Sequence, residues 1–294
     1  MKEIKYHKGF SKTYPVDKKS FAEHSHMQKP YVNADGYYAY CPHCENPVKL
    51  LGLLKPLKRY GPHGRHAKYD VSGINSFNKI KYENCPYHRK HADYITEPYL
   101  GEETDEDLRI YNMVREHFDQ IIYLLKQSLP IVITSSMAER LLQNYITHRG
   151  WMFRDADLNN IPWVFINAMH GIDLFGALIK KDSELARFLK KRNEVNLLPT
   201  KLPQYLKVGN SENSFVNLNW IVSNTSFSVD SKTKLHTYLH LVIGEPDGKG
   251  TYNSIHEEII EVDTYAFGRL AHSSNVTYRD TNLLNISSCL MPVR

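Results

Sequence analysis

Residues 37–54 read YYAYCPHCENPVKLLGLL, and the fold of the first third of the chain turns on them. Tyr37, Tyr38, Ala39 and Tyr40 have the character of a strand, Cys41-Pro42-His43-Cys44 makes a tight turn, and Val48, Leu50 and Leu51 supply a return strand. A second turn of the same kind follows at Cys85-Pro86-Tyr87-His88. Each pair has Pro directly after its first Cys, and the two-residue spacing lets both side chains of a pair converge on one ion. Cys41, Cys44, Cys85 and His88 are therefore the expected ligands of one closed tetrahedral site. Thiolate and imidazole donors with no open position favour a structural Zn²⁺. His63, His66 and His91 remain open as replacements for His88 or as parts of a second site.

Two knuckles of this kind resemble the zinc-ribbon family, in which each sits on a hairpin and the pair closes one site. The resemblance covers about residues 37–92 and implies a fold element, not an activity. Forty residues separate Cys44 from Cys85, a long spacing for a minimal ribbon, and His88 stands where a fourth Cys is commoner. The order His, Asn, His in the same stretch also resembles the HNH nucleases. That resemblance implies His63 or His66 as general base, Asn75 or Asn78 as orienting residue, and His88 or His91 as ligand of a catalytic divalent ion.

Charge is divided along the chain. Residues 1–92 hold 17 Lys and Arg against 7 Asp and Glu, a net +10, and residues 93–294 hold 20 against 25, a net −5, which together give the formal +5. A basic module commonly meets a polyanion, because the attraction sums over phosphates whatever their sequence. Arg65, His66, Lys68, Arg89 and Lys90 are the candidate nucleic-acid contacts, with Tyr69 able to stack on an exposed base.

No stretch reaches the roughly 18 continuous apolar residues of a membrane span, and residues 1–29 lack the apolar segment of a signal peptide. Three of four cysteines fall in one short region among histidines, which suits metal ligation in a reducing compartment, so a cytoplasmic protein is expected. Cys289, among Ile286, Leu290 and Met291, reads as a buried apolar filler.

Residues 1–30 show no sustained hydrophobic period and read as a basic arm. Thr104 caps a helix opened by Asp105, Glu106 and Asp107, with Leu108, Tyr111, Val114, Phe118, Ile121 and Leu125 at helical spacing up to Pro130. Ser136 caps a second helix that stops at Gly150. Pro162 begins a third that carries Val164, Ile166, Met169, Leu174 and Leu178, and Asp182 or Ser183 begins a short fourth. From about Asn196 the pattern is β: residues 215–222, 235–243, 255–262 and 283–290 read as strands, and Leu235, Thr237, Leu239, Leu241 and Ile243 share one face. His236 and His240 take the opposite face; with His256, Glu257 and Glu258 they read as a solvated sheet surface, the alternative being a set that binds a metal or does acid/base work.

The expected fold class is α+β: an arm at 1–30, a zinc-ribbon-like module at 31–100, a helical region at 101–195 and a β-rich antiparallel region at 196–294. The expected function is that of a non-enzymatic zinc-binding protein whose basic module contacts DNA, RNA or a protein partner. An HNH-like metal-dependent nuclease and a scaffold without a nucleic-acid partner are the alternatives. Walker and dinucleotide-binding loops, the Gly-x-Ser-x-Gly elbow and His-Glu-x-x-His are absent from the sequence.

Overall fold

The computed structural model of the chain describes all residues except 10–11, 56–60, 90, 94–95, 97–101, 170, 213, 232–233, 247–251 and 273–277. In the basic part, β1 (Glu3–Ile4) pairs with β2 (Tyr14–Pro15), and α1 (Lys18–Ser25) follows behind an Asp17 cap. β3 (Val32–Asn33), β4 (Gly36–Tyr40), β5 (Pro47–Leu51) and β6 (His63–His66) form an antiparallel sheet in that order. β4 is covered on both faces. Ala39 and its partner Val48 enter a cluster with Ile4, Tyr6 and Phe21, whereas Tyr38 and Tyr40 enter another with Ala67, Val71 and Ile74.

The expected arm at residues 1–30 is thus packed structure. Ile4, Tyr6, Val16 and Phe21 are buried one at a time against the sheet, so no face of regular period ever forms in the sequence. Gly64 lets β6 approach closely, since a Cβ there would lie 2.6 Å from Val48 Cγ1. The stretch between the two cysteine pairs therefore contains β6, and it ends in α2 (Lys79–Glu83), capped by Asn78. After α3 (Pro86–Arg89), β7 (His91–Asp93) joins the C-terminal sheet.

Thr104 and Asp107 close a reciprocal capping box on α4 (Asp105–Glu116). The helix expected to run on to Pro130 breaks at His117, and α5 (Phe118–Ser128) starts afresh. α6 (Ser135–Thr147) is capped by Thr134, two residues before the expected Ser136. α7 (Ile161–Phe165), with Pro162 in its first turn, passes into a single 3-10 turn at Ile166–Ala168. The long third helix does not form: the chain extends through β8 (Ile172–Asp173), turns at Gly176 with φ +78°, and places Leu178 in β9 (Leu178–Lys180). α8 (Glu184–Leu189) carries the Ser183 cap.

β10 (Val195–Pro199), β11 (Tyr205–Asn210) and β9 make a small antiparallel sheet in that order. β12 (Asn219–Val229), β13 (Leu235–Pro246) and β14 (Tyr252–Val262) form the main meander, with β7 and β8 added along β12. Leu235, Thr237, Leu239, Leu241 and Ile243 bury one face of β13, as their alternation requires. α9 (Ala266–Ala271) and α10 (Thr281–Leu290) complete the chain. Residues 283–290, expected as a strand, are the body of α10. Asp280 caps it, and Leu283, Ile286, Ser287 and Leu290 repeat at the helical i, i+3, i+4, i+7 interval against the core. Cys289 falls off that stripe and is exposed, not a core filler.

The helices and the inner face of the main sheet share one core around Phe118, Tyr145, Trp163, Phe165, Trp220 and Phe267. The architecture is mixed helix and antiparallel sheet, an α+β fold. Among the described residues, no helix is long and apolar enough to cross a membrane.

Candidate metal centre

The turn between β4 and β5 is built by backbone bonds that close on themselves: the Cys41 amide donates to the Asn46 carbonyl and the Glu45 amide to the Cys41 carbonyl. Glu45 takes a left-handed φ of +54° to complete the turn. This aims Cys41 and Cys44 inward. Cys85 arrives from the junction of α2 and α3, and His66 from the last position of β6, where the register sets it opposite Val48. One ligand atom from each of Cys41, Cys44, His66 and Cys85 lies within 4.8 Å of the others.

Three of the six edges of this group match a tetrahedron around a metal. Arms of about 2.3 Å to sulfur and about 2.0 Å to nitrogen give edges of about 3.8 Å between sulfurs and about 3.5 Å between sulfur and nitrogen. Cys41 Sγ is 3.7 Å from Cys85 Sγ, and His66 Nε2 is 3.3 Å from Cys44 Sγ and 3.7 Å from Cys85 Sγ. The thiols also want a cation. Burial, helped at Cys41 by Cys44 and at Cys85 by both neighbouring thiols, pushes Cys41 and Cys85 well above the usual thiol range. Burial alone would raise Cys44 too, but hydrogen bonds from Cys41, Cys85 and His66 hold it well below that range. A divalent ion would remove the conflict by allowing all three to ionise.

A shell of hydrogen bonds fixes the ligands. The fully buried Asn46 donates through Nδ2 to Cys44 Sγ at 3.3 Å and to the Asn78 carbonyl at 3.0 Å, and its Oδ1 accepts from the Asn78 amide at 2.6 Å. Asn78 in turn caps α2, which leads to Cys85, so one amide ties both halves of the site. The turn also grips the rest of the chain. His43 pairs through Nδ1 with Asp157, and Asn159 donates to the Pro42 carbonyl at 2.9 Å. Burial alone would raise the Asp157 carboxyl, yet the adjacent His43 ring holds it below the ordinary carboxylate range.

His66, one of the open alternatives, takes the place expected for His88. His88 instead stacks on Tyr82 at 4.0 Å, and the Tyr82 ring meets His66 edge-on at 5.1 Å. Cys85-x-x-His88 is therefore a short helix start and not a second hairpin knuckle, which separates this site from the ribbon arrangement. Its sequence spacing is misleading because Pro86 opens a helical turn that carries His88 past the thiol. Strand pairing, which only the register of β5 and β6 reveals, brings in His66.

Two residues that the nuclease resemblance implies are committed elsewhere, and the side chain of His91 lies outside the described residues. His66 belongs to the cysteine group, Asn78 is engaged as a helix cap, and His63 lies on β6 with Nδ1 3.0 Å from the Gly61 carbonyl. Arg65 and Lys68 are exposed beside the site, and Lys68 Nζ lies 4.9 Å from the Tyr82 ring centre. Of the other candidate contacts, Lys90 and the side chain of Arg89 lie outside the described residues. Asn46, His43 and Asp157 carry no sequence signal beyond their place near the ligands. Comparison with family models, curated proteins and solved structures finds no match for the chain.

Proposed function

We propose that Cys41, Cys44, His66 and Cys85 hold one structural Zn²⁺, and that the basic unit braced by it is a nucleic-acid-binding module. The observation that carries this reading is the tetrahedral spacing of three buried thiols and one imidazole, a closed donor set of the softness zinc prefers. Lys2, Lys8, Lys12, Lys18, Lys19, Lys29, Arg65 and Lys68 are all exposed on this unit, which supports a phosphate-backbone partner.

Metal analysis of protein purified without chelator should give about one zinc per chain, and a metal-free protein would remove the basis of the reading. DNA and RNA binding should weaken steeply with salt. Arg65→Ala and Lys68→Ala should each lower the salt slope by about one, the mark of one lost phosphate contact. Binding that ignores salt would point instead to a protein partner.

A further inference from the structure

The outer face of the main sheet carries a second arrangement, separate from the cysteines. Ser226 on β12, His240 on β13 and Glu257 on β14 form a line across three strands. The Ser226 hydroxyl lies 2.8 Å from His240 Nε2, and His240 Nδ1 lies 3.1 Å from a Glu257 carboxylate oxygen. The register explains the line: His240 stands opposite Asn224 on one side and Ile259 on the other, so its ring reaches diagonally to Ser226 and to Glu257. Thr225, Phe227, Leu239 and Leu241 take the inner face, leaving these three on the outer one.

A carboxylate at Nδ1 holds the ring with its proton there, which leaves Nε2 to accept the serine hydroxyl proton. His236, one ladder step away, sharpens the point. It has carboxylates at both nitrogens, Glu261 at 2.6 Å from Nδ1 and Asp230 at 3.5 Å from Nε2. Of these two similar histidines, His240 has a serine at its second nitrogen.

We propose that Ser226, His240 and Glu257 act as nucleophile, general base and positioning acid in the hydrolysis of carboxylic esters. Asp93 stands directly across from Ser226 on β7, and Glu257 and Glu261 line β14, so the acyl groups accepted are uncharged or cationic. Ser226 Oγ attacks the ester carbonyl carbon while its proton passes to His240 Nε2. The bond to the alcohol oxygen breaks as His240 returns that proton to the leaving alkoxide. Water then attacks the acyl-serine, giving its proton to His240, and the carboxylic acid departs as the proton goes back to Ser226.

The test uses the full chain with a fluorophosphonate probe, intact mass and peptide mapping, followed by turnover of 4-nitrophenyl acetate. A single adduct on Ser226 is expected, lost in Ser226→Ala and formed at least about 100-fold more slowly in His240→Gln. Glu257→Gln should lower kcat with KM unchanged, and Glu257→Asp should recover part of it. Because the three side chains face outward, these variants should retain the parent circular dichroism and zinc content. No adduct in folded protein, an adduct on another residue, or labelling unchanged by His240→Gln would each overturn the proposal.

Discussion

The basic N-terminal unit and the acidic body bury side chains on different scales. Among the described residues, the body's core joins 47 buried hydrophobic side chains from Ile110 to Met291, including Trp151, Trp163 and Trp220. The main N-terminal cluster joins 12, three of which are the thiols of Cys41, Cys44 and Cys85. A core that small covers little apolar area, and a quarter of its members are thiols able to serve as metal ligands. The body is closed by packing, and under the proposed function the N-terminal unit is closed by the metal its thiols hold. Charge follows the same division, since residues 1–92, which contain the cysteine cluster, also carry the net +10.

Removing metal should break this symmetry most visibly. Structural zinc in small modules contributes an apparent 10–16 kcal/mol or so, so chelation or Cys85→Ser should unfold residues 1–89 while the body stays folded. Hydrogen exchange read by peptide would show protection lost in β4 to β6 and kept in α5 and β13. A single cooperative loss of both would make the two regions one unit. The converse perturbation is Phe118→Ala, which empties a fully buried site in contact with Phe165 at 5.9 Å between ring centres. It should cost about 3–5 kcal/mol in the body's denaturant transition and leave zinc stoichiometry unchanged.

The junction comes next in size. Asp157→Ala removes the carboxylate that pairs with the buried His43 ring and should cost about 3 kcal/mol. Because the folded Asp157 carboxyl sits below its ordinary range, the pair contributes fully above the unfolded value near 3.9, and that contribution is lost as pH falls through the lower folded value. Asp157→Asn should therefore flatten the acid limb of the stability profile between those two values, measured by urea titration at each pH. An unchanged limb would mean that the turn at Cys41–Cys44 docks without help from this pair.

What could be read in the sequence follows from the range of the forces involved. Thr104, Ser183 and the alternation of β13 act within a few residues, and the structure bears them out. The first half of the metal site was legible for the same reason, since Cys41 and Cys44 share one turn. His66 is one of three alternatives to His88 that spacing leaves open, because it enters through strand pairing between β5 and β6, which a spacing rule cannot see. Residues 283–290 misled through composition: Ile and Leu suit either element, and the deciding features were the Asp280 cap and the core stripe of α10. The apolar side chains of residues 1–30 hid because each fills a separate gap in another element's surface.

The smallest test is also the most discriminating between one unit and two. Thr104 accepts from the Asp107 amide at 3.2 Å while the Asp107 carboxylate accepts from the Thr104 amide at 2.8 Å, at the exposed start of α4. Thr104→Ala removes one half of that box and should cost about 1 kcal/mol. The site is neighbour to the junction, since Glu106 pairs with Lys81 of α2. If the regions fold separately, the loss will shift only the body's transition and leave the chelator concentration that unfolds the N-terminal unit where it was. If the metal-linked transition moves by the same amount, stability passes through the α2–α4 contact, and the small core of the basic unit borrows part of its support from the large one.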